Sequence, residues 1–293
     1  MLVSFRFLTR WFGEHPIAGF LLLTFGISYL IGFPALITYT AWAPPQPRVL
    51  RTYASRVLVV YGPGLAAILL SLLAQGRPGA TDLVRRLVPR RRDLPWAVWI
   101  VLAGAVSSGL ALARAGVSFG ELVGAIRSAG LLLLTHCVLQ ILIVSIGEEL
   151  GWRGWLLPRL LERFTRLRAT LLTAAAWGLW HGPLLLSPPR TTALFLFAVL
   201  GLSFLFTWTW VHTGQRLFLV VLAHATVNAP MFFWEDVAAL GSHTGATRSA
   251  WYALEVMYAL AGCGLVLVTR MWWVQRPTHH LTPSLHGQPD LHG

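Results

Sequence analysis

Three short stretches of this sequence place polar residues of reactive type inside apolar surroundings. Glu148, Glu149 and Arg153 stand in E-E-L-G-W-R, Trp177 and His181 in W-G-L-W-H, and His224 and Asn228 in H-A-T-V-N. A carboxylate beside a histidine can hold and deprotonate a water. An imidazole and a carboxamide can donate hydrogen bonds to a developing oxyanion. Glu148, His181, His224 and Asn228 thus supply the parts for hydrolysing a peptide bond without a covalent intermediate. On a helix, Glu149 and Arg153 are i and i+4 and pair on one face. Glu148 then points ~100° away and stays free for chemistry. His224 and Asn228 share the same spacing and face one cavity.

Each stretch also has a plainer reading. Glu149–Arg153 alone is an interfacial ion pair, His181 alone is a core histidine bonded to a backbone carbonyl, and His224–Asn228 alone is interhelical glue. A serine nucleophile is disfavoured, because no G-x-S-x-G surrounds Ser145. Glu148, His181 and His224 are the ligands a three-coordinate open zinc site would use. The H-E-x-x-H spacing of helical zinc proteases is missing, so a metal-free site is favoured, with zinc as the alternative cofactor.

The elements that must position these residues are apolar. The chain is 56% hydrophobic and 12% charged, with mean hydropathy +0.63, about half the charge of a soluble domain. That composition predicts an all-α polytopic membrane bundle. Eight segments are candidates to span: 17–42, 55–75, 95–115, 130–157, 169–187, 192–212, 217–234 and 251–273. Pro158 is expected to break the fourth, and 235–249 to be an exterior loop. Residues 1–273 form one domain with a motif core at 145–230. The tail 274–293, with three prolines and four histidines, is expected to be disordered. Cys137 and Cys263 exclude a disulfide framework and a C-x-x-C metal knuckle.

The basic residues set the orientation. All 23 are arginine, and the net charge is +12. They flank the apolar segments, which points to topology and lipid headgroups rather than nucleic acid. With the N-terminus inside, 16 arginines lie on the cytoplasmic side and 7 on the other. The expectation is a multi-pass protein of the cell membrane with both termini cytoplasmic. Counted from the cytoplasmic segment ends, Glu148, His181, His224 and Asn228 lie ~14, ~18, ~10 and ~17 Å deep. Three helices therefore bring their polar groups near one level, in the cytoplasmic half.

E-E-L-G-W-R (148–153), W-G-L-W-H (177–181) and H-A-T-V-N (224–228) resemble, in order, the three motifs of the CPBP family: E-E-x-x-x-R, an aromatic residue ahead of a His, and H-x-x-x-N. This family comprises the CAAX proteases and bacteriocin-processing or immunity proteins, also called Abi proteins. Trp177 stands where Phe is common. The resemblance implies a helical intramembrane endopeptidase with a conical cavity open to the cytosol. It implies that Glu148 and His181 activate the water, that His224 and Asn228 stabilise the oxyanion, and that Glu149 and Arg153 orient the site. Its eukaryotic members act on prenylated CAAX proteins.

Two competing readings use the same residues. One is a non-catalytic binding or immunity protein built around the same polar cavity. The other is a proton-coupled transporter, which the lack of an inverted repeat disfavours. The leading reading is a protease whose partners are membrane lipids and a peptide or protein substrate, with no nucleic acid.

Overall fold

The structure is a computed structural model that describes residues 10–239 and 244–277. Among these residues every regular element is helical. Eight long helices organise the chain: α1 (Pro16–Trp42), α2 (Gly62–Arg85), α3 (Leu94–Arg114), α4 (Phe119–Leu161), α5 (Arg166–Trp180), α6 (Pro189–His212), α7 (Leu217–Ala239) and α8 (Thr244–Val268). Six are long and apolar enough to cross a membrane: α1, α3, α4, α6, α7 and α8. Of the tail expected at 274–293, residues beyond 277 lie outside those described.

The two predicted spans outside this set are helical but interrupted. In the 55–75 segment, a short helix (Val57–Val60) leads into α2, whose regular part ends at Gly76 (φ 67), a left-handed position that glycine adopts readily. In the 169–187 segment, α5 stops at Trp180, and a single 3₁₀ turn follows at Gly182–Leu186. Pro183 enforces the stop, since a proline withdraws a donor and disfavours helical backbone in the residue before it. At 15 residues, α5 reaches ~22 Å, short of a hydrocarbon layer of about 30 Å.

α4 departs from expectation in the other direction. It begins well ahead of residue 130 and bends at Ala129 (φ −129, ψ 27). Pro158 does not break it. A π-helical turn at Trp152–Leu156 precedes the proline, which then opens a fresh α-helical turn, a position where its missing N–H costs little. A second π turn occupies Gln140–Ser145. Glu148 and Glu149 sit on the α-helical turn between the two, and π turns recur at functional sites because they re-aim side chains.

α6 and α7 form the centre of the bundle, with 50% and 61% of their apolar windows buried against 22% for α1, α3 and α4. α4 lies close to α2 and to the short helix leading into it: a Cβ on Gly147 would lie 2.7 Å from the Val60 carbonyl oxygen, and one on Gly64 would lie 2.7 Å from that of Gly147. Small residues at such a contact let two backbones pack directly.

Apolar packing divides the bundle into two halves. One cluster joins Phe20, Leu83, Trp152, Leu157, Trp210 and Leu217. The loops at that end are tied together, Arg216 to Asp93 at 2.6 Å and the Arg166 guanidinium to the Trp272 carbonyl at 2.9 Å. We call it the basal end; it also carries residues 10–16 and 270–277. The second cluster joins Leu112, Ala125, Phe233, Trp234 and Leu254 at the opposite end. There the expected exterior loop is shorter than 235–249, because α7 continues through Ala239. Asp236 is on the helix and pairs with Arg48 (2.8 Å) and His136 (3.2 Å), whose other ring nitrogen meets the Tyr53 hydroxyl at 3.0 Å.

Candidate active site

The three motifs converge. Glu148, Trp177, His181, His224 and Asn228 line one cavity of 110 Å³ between α4, α5, α6, α7 and α8. Trp177, one turn before the end of α5, organises the centre. Its indole N–H donates to Glu148 Oε2 at 2.7 Å, and its backbone carbonyl accepts from His181 Nδ1 at 2.8 Å. A carbonyl only accepts, so Nδ1 carries the proton and Nε2 keeps its lone pair. The core-histidine bond and the catalytic orientation of His181 are therefore the same contact.

The Glu149–Arg153 pair expected from its spacing is formed. Arg153 NH1 donates to both Glu149 oxygens, at 2.9 and 3.1 Å. Both side chains are fully buried. Arg153 also reaches Ser203 Oγ at 3.2 Å and lies against the rings of Trp177 and Phe206, 4.3 and 4.9 Å from their centroids. Stacking of this kind suits a planar, weakly hydrated guanidinium. Glu149 has a further partner that the spacing did not announce, since His224 Nδ1 donates to its Oε1 at 2.8 Å. That bond turns Nε2 of His224 away from the ion pair. Asn228, one helical turn on, also lines the cavity, and among the described residues its amide makes no hydrogen bond.

The cavity continues. Glu148, His181 and Asn228 also line a larger space of 530 Å³, walled mainly by apolar groups including Phe33, Val144 and Phe232. A third cavity, of 590 Å³, shares Trp251 and Glu255 with it and runs out past Ser187, Arg248 and Arg48. Two carboxylates missing from the motif reading stand along this route. Glu255, on α8, touches all three cavities, and Glu235 accepts from the Trp251 indole at 2.6 Å. Glu255 was visible in principle, as an acidic residue within an apolar span.

One expectation needs correction. The residues around the mouth (Leu36, Arg56, Leu184, Glu235) belong to helix ends remote from the basal end. On the basal side of Glu148, Trp152, Arg153, Leu156 and Leu157 are all at most 1% exposed. The cavity is sealed toward residues 10–16 and 270–277 and open on the opposite face. Cytoplasmic termini and a cytosolic opening therefore exclude one another in this fold. The depth comparison missed this because it measured level within the membrane, not the direction of access.

Among the described residues no three His, Cys, Asp or Glu side chains are grouped as a metal-binding set. The Nδ1 atoms of His181 and His224 are both engaged by protein acceptors.

The site lies inside a region of known relationship. Residues 130–230, which contain all three motifs, match the family described as type II CAAX prenyl endopeptidase Rce1-like. A CAAX prenyl protease 2 from Methanococcus maripaludis is 22% identical over 234 residues, covering 71% of this chain and 81% of that protein. Motif order, buried polar cluster and family match coincide on the same helices, and together they support a CAAX-type intramembrane endopeptidase.

Proposed function

We propose that Glu148 and His181 activate a water for peptide-bond hydrolysis and that His224 and Asn228 receive the charge that develops on the substrate carbonyl. The observation that carries this reading is the double grip of Trp177 on Glu148 and His181. The water donates its hydrogen bonds to the Glu148 carboxylate and to the bare Nε2 of His181. As its oxygen attacks the carbonyl carbon, one water proton passes to Glu148 and the carbonyl oxygen becomes an oxyanion. Donors of the Asn228 amide and of His224 Nε2 meet that oxygen. Collapse breaks the carbon–nitrogen bond and the proton on Glu148 moves to the leaving amine.

Glu149 and Arg153 act one step removed. For Nε2 of His224 to donate while Nδ1 is bonded to Glu149, the ring carries both protons during turnover. Glu149 compensates that charge on one side, and Arg153 compensates Glu149 on the other. The cluster of one carboxylate and two cations is net positive where an oxyanion forms. The reaction needs no metal in this scheme. Elemental analysis of purified protein is expected to find zinc well below one per chain, and stoichiometric zinc lost in His181→Ala would reverse that part.

The substrate is a membrane-associated polypeptide. The 530 Å³ space beside Glu148, lined by Phe33, Val59, Val144 and Phe232, suits an apolar side chain or lipid group flanking the cleaved bond. Prenylated CAAX-type chains fit that description, and the archaeal relative is named for them. A quenched peptide with a C-terminal membrane anchor tests the activity. Glu148→Ala and His181→Ala are expected to abolish cleavage. Asn228→Ala is expected to retain a residue of activity, down about 10²–10³-fold for one lost oxyanion donor. Wild-type turnover in Glu148→Ala would return the cavity to a binding or immunity role.

A further inference from the structure

Glu255 is an acidic side chain inside the apolar span Ala246–Val268, and it lines all three cavities, including the 110 Å³ one that holds Glu148, His181 and Asn228. A carboxylate in such a span is costly unless it is paired or wetted. Among the described residues Glu255 makes no hydrogen bond and no ion pair, and its Oε2 is buried without a donor. The donors around it are committed elsewhere. One turn before it on α8, the Trp251 indole N–H goes to Glu235 at 2.6 Å, and one turn after it the Tyr258 hydroxyl is bonded to Ser107 at 2.7 Å. Across the 110 Å³ cavity, the Trp177 N–H serves Glu148 and His224 Nδ1 serves Glu149. Of the arginines along the outer cavities, Arg48 pairs with Asp236, Arg56 lies over the Phe232 ring, and Arg248 is exposed and forms no ion pair. Gln140, on α4, is in the same condition. It is 1% exposed, both its amide atoms lack partners, and it lines the 530 Å³ cavity together with Glu255. A purely apolar occupant would leave both groups unsatisfied, which is unfavourable for buried polar atoms. The occupant therefore brings polar groups as well as apolar surface.

A cation suits Glu255 better than a neutral donor. Hydrogen bonds with an ionised partner are roughly twice as strong as neutral ones. Trp251 lines the same three cavities, and an indole face attracts a cation. The side of the site that carries Arg153 and His224 is net positive, so a substrate cation is directed away from it and toward α8. We infer that Glu255 is a specificity-determining residue that accepts a basic side chain, lysine or arginine, of the polypeptide beside the cleaved bond. With that cation held on α8 and the carbonyl oxygen at His224 and Asn228 on α7, the polypeptide has one register across Glu148. The substrate class narrows to a membrane-associated chain with a basic residue near the apolar or lipid group that fills the 530 Å³ space. Its being a substrate rests on the hydrolytic reading above, whereas the binding of a basic side chain at Glu255 does not.

The test uses paired quenched peptides with a C-terminal membrane anchor, carrying lysine or its uncharged analogue norleucine at single positions on either side of the cleaved bond. In a neutral detergent, the wild-type protein should cleave the lysine member with kcat/KM about tenfold to a hundredfold higher at one position, chiefly through KM, as for one hydrogen bond to a charged group. Glu255→Gln should bring that ratio near one, and Glu255→Asp should keep most of it. Glu255→Lys should invert it in favour of a peptide with glutamate at that position. Equal values for the wild-type protein on both members at every position overturn the inference, and so does a preference that survives Glu255→Gln. The wild-type comparison decides even where a variant fails to fold. A second arm measures equilibrium binding of the same peptides, labelled with a neutral fluorophore, by anisotropy. Tighter binding of the lysine member that Glu255→Gln removes, with no cleavage of any peptide, counts against the peptidase reading and leaves the site standing. Equal binding of the two members overturns the site.

Discussion

The indole of Trp177 donates to Glu148 while the carbonyl of the same residue accepts from His181, so the separation of the two water-activating groups is set by one side chain and one helical turn. Trp177→Phe keeps the ring against Arg153 and removes only the donor. A hydrogen bond to a charged group is worth about 1.5–3 kcal/mol, so kcat should fall roughly tenfold to a hundredfold with thermal stability in detergent little changed. Arg153→Ala is expected to behave differently. It leaves the Glu149 carboxylate buried without its cation, which costs about 3–5 kcal/mol, so folded yield and melting temperature should drop along with activity. Glu149–Arg153 was legible in the sequence because both members sit on one helix four residues apart. His224–Glu149 was not, because the bond spans 75 positions and two helices. Neither was the double role of Trp177, whose aromatic type announced packing but not which polar groups it would hold.

α4 places its catalytic groups by departing from ideal form. α4 carries π turns on both sides of Glu148 and Glu149, and its close contact with Val60 and Tyr61, just ahead of α2, leaves no room for a side chain at Gly147. Gly147→Val should therefore be destabilising by at least the ~1–3 kcal/mol typical of overpacking, read as lost monodisperse protein after detergent extraction. Gly109→Val, on α3 with open space around its Cα, should extract like wild type. Hydropathy located the helices well, since it reports what lipid and core demand in common. It placed the start of the straight part of α4 and the end of the regular part of α2 at the Ala129 and Gly76 bends. It misjudged Pro158 because a π turn absorbs the proline, a backbone adjustment with no compositional mark. It also extended the eighth helix's preceding loop over Glu235 and Asp236, whose charges are answered by Trp251, Arg48 and His136 rather than by water.

At the scale of the whole molecule, the bundle has a closed apolar half and an opposite half hollowed by three joined cavities. Class and motif convergence were readable from the chain, while the side of the opening was not, because it depends on where α5 stops relative to its neighbours. That early stop has a consequence for the surrounding lipid. Leu171, Leu172 and Leu179 on α5 are 41–60% exposed, so acyl chains lie along a helix covering ~22 Å of depth, next to helices that cross the full layer. The bilayer must thin locally there to match it, at a cost of fractions of a kcal/mol per ångström of mismatch. Reconstituted into phosphatidylcholines of increasing chain length, the protein should lose turnover in the thickest bilayers while its melting temperature changes less. Equal turnover across the series would mean that the dent at α5 is filled by protein. The enzyme would in this way sense membrane thickness, working fastest where the bilayer is thin.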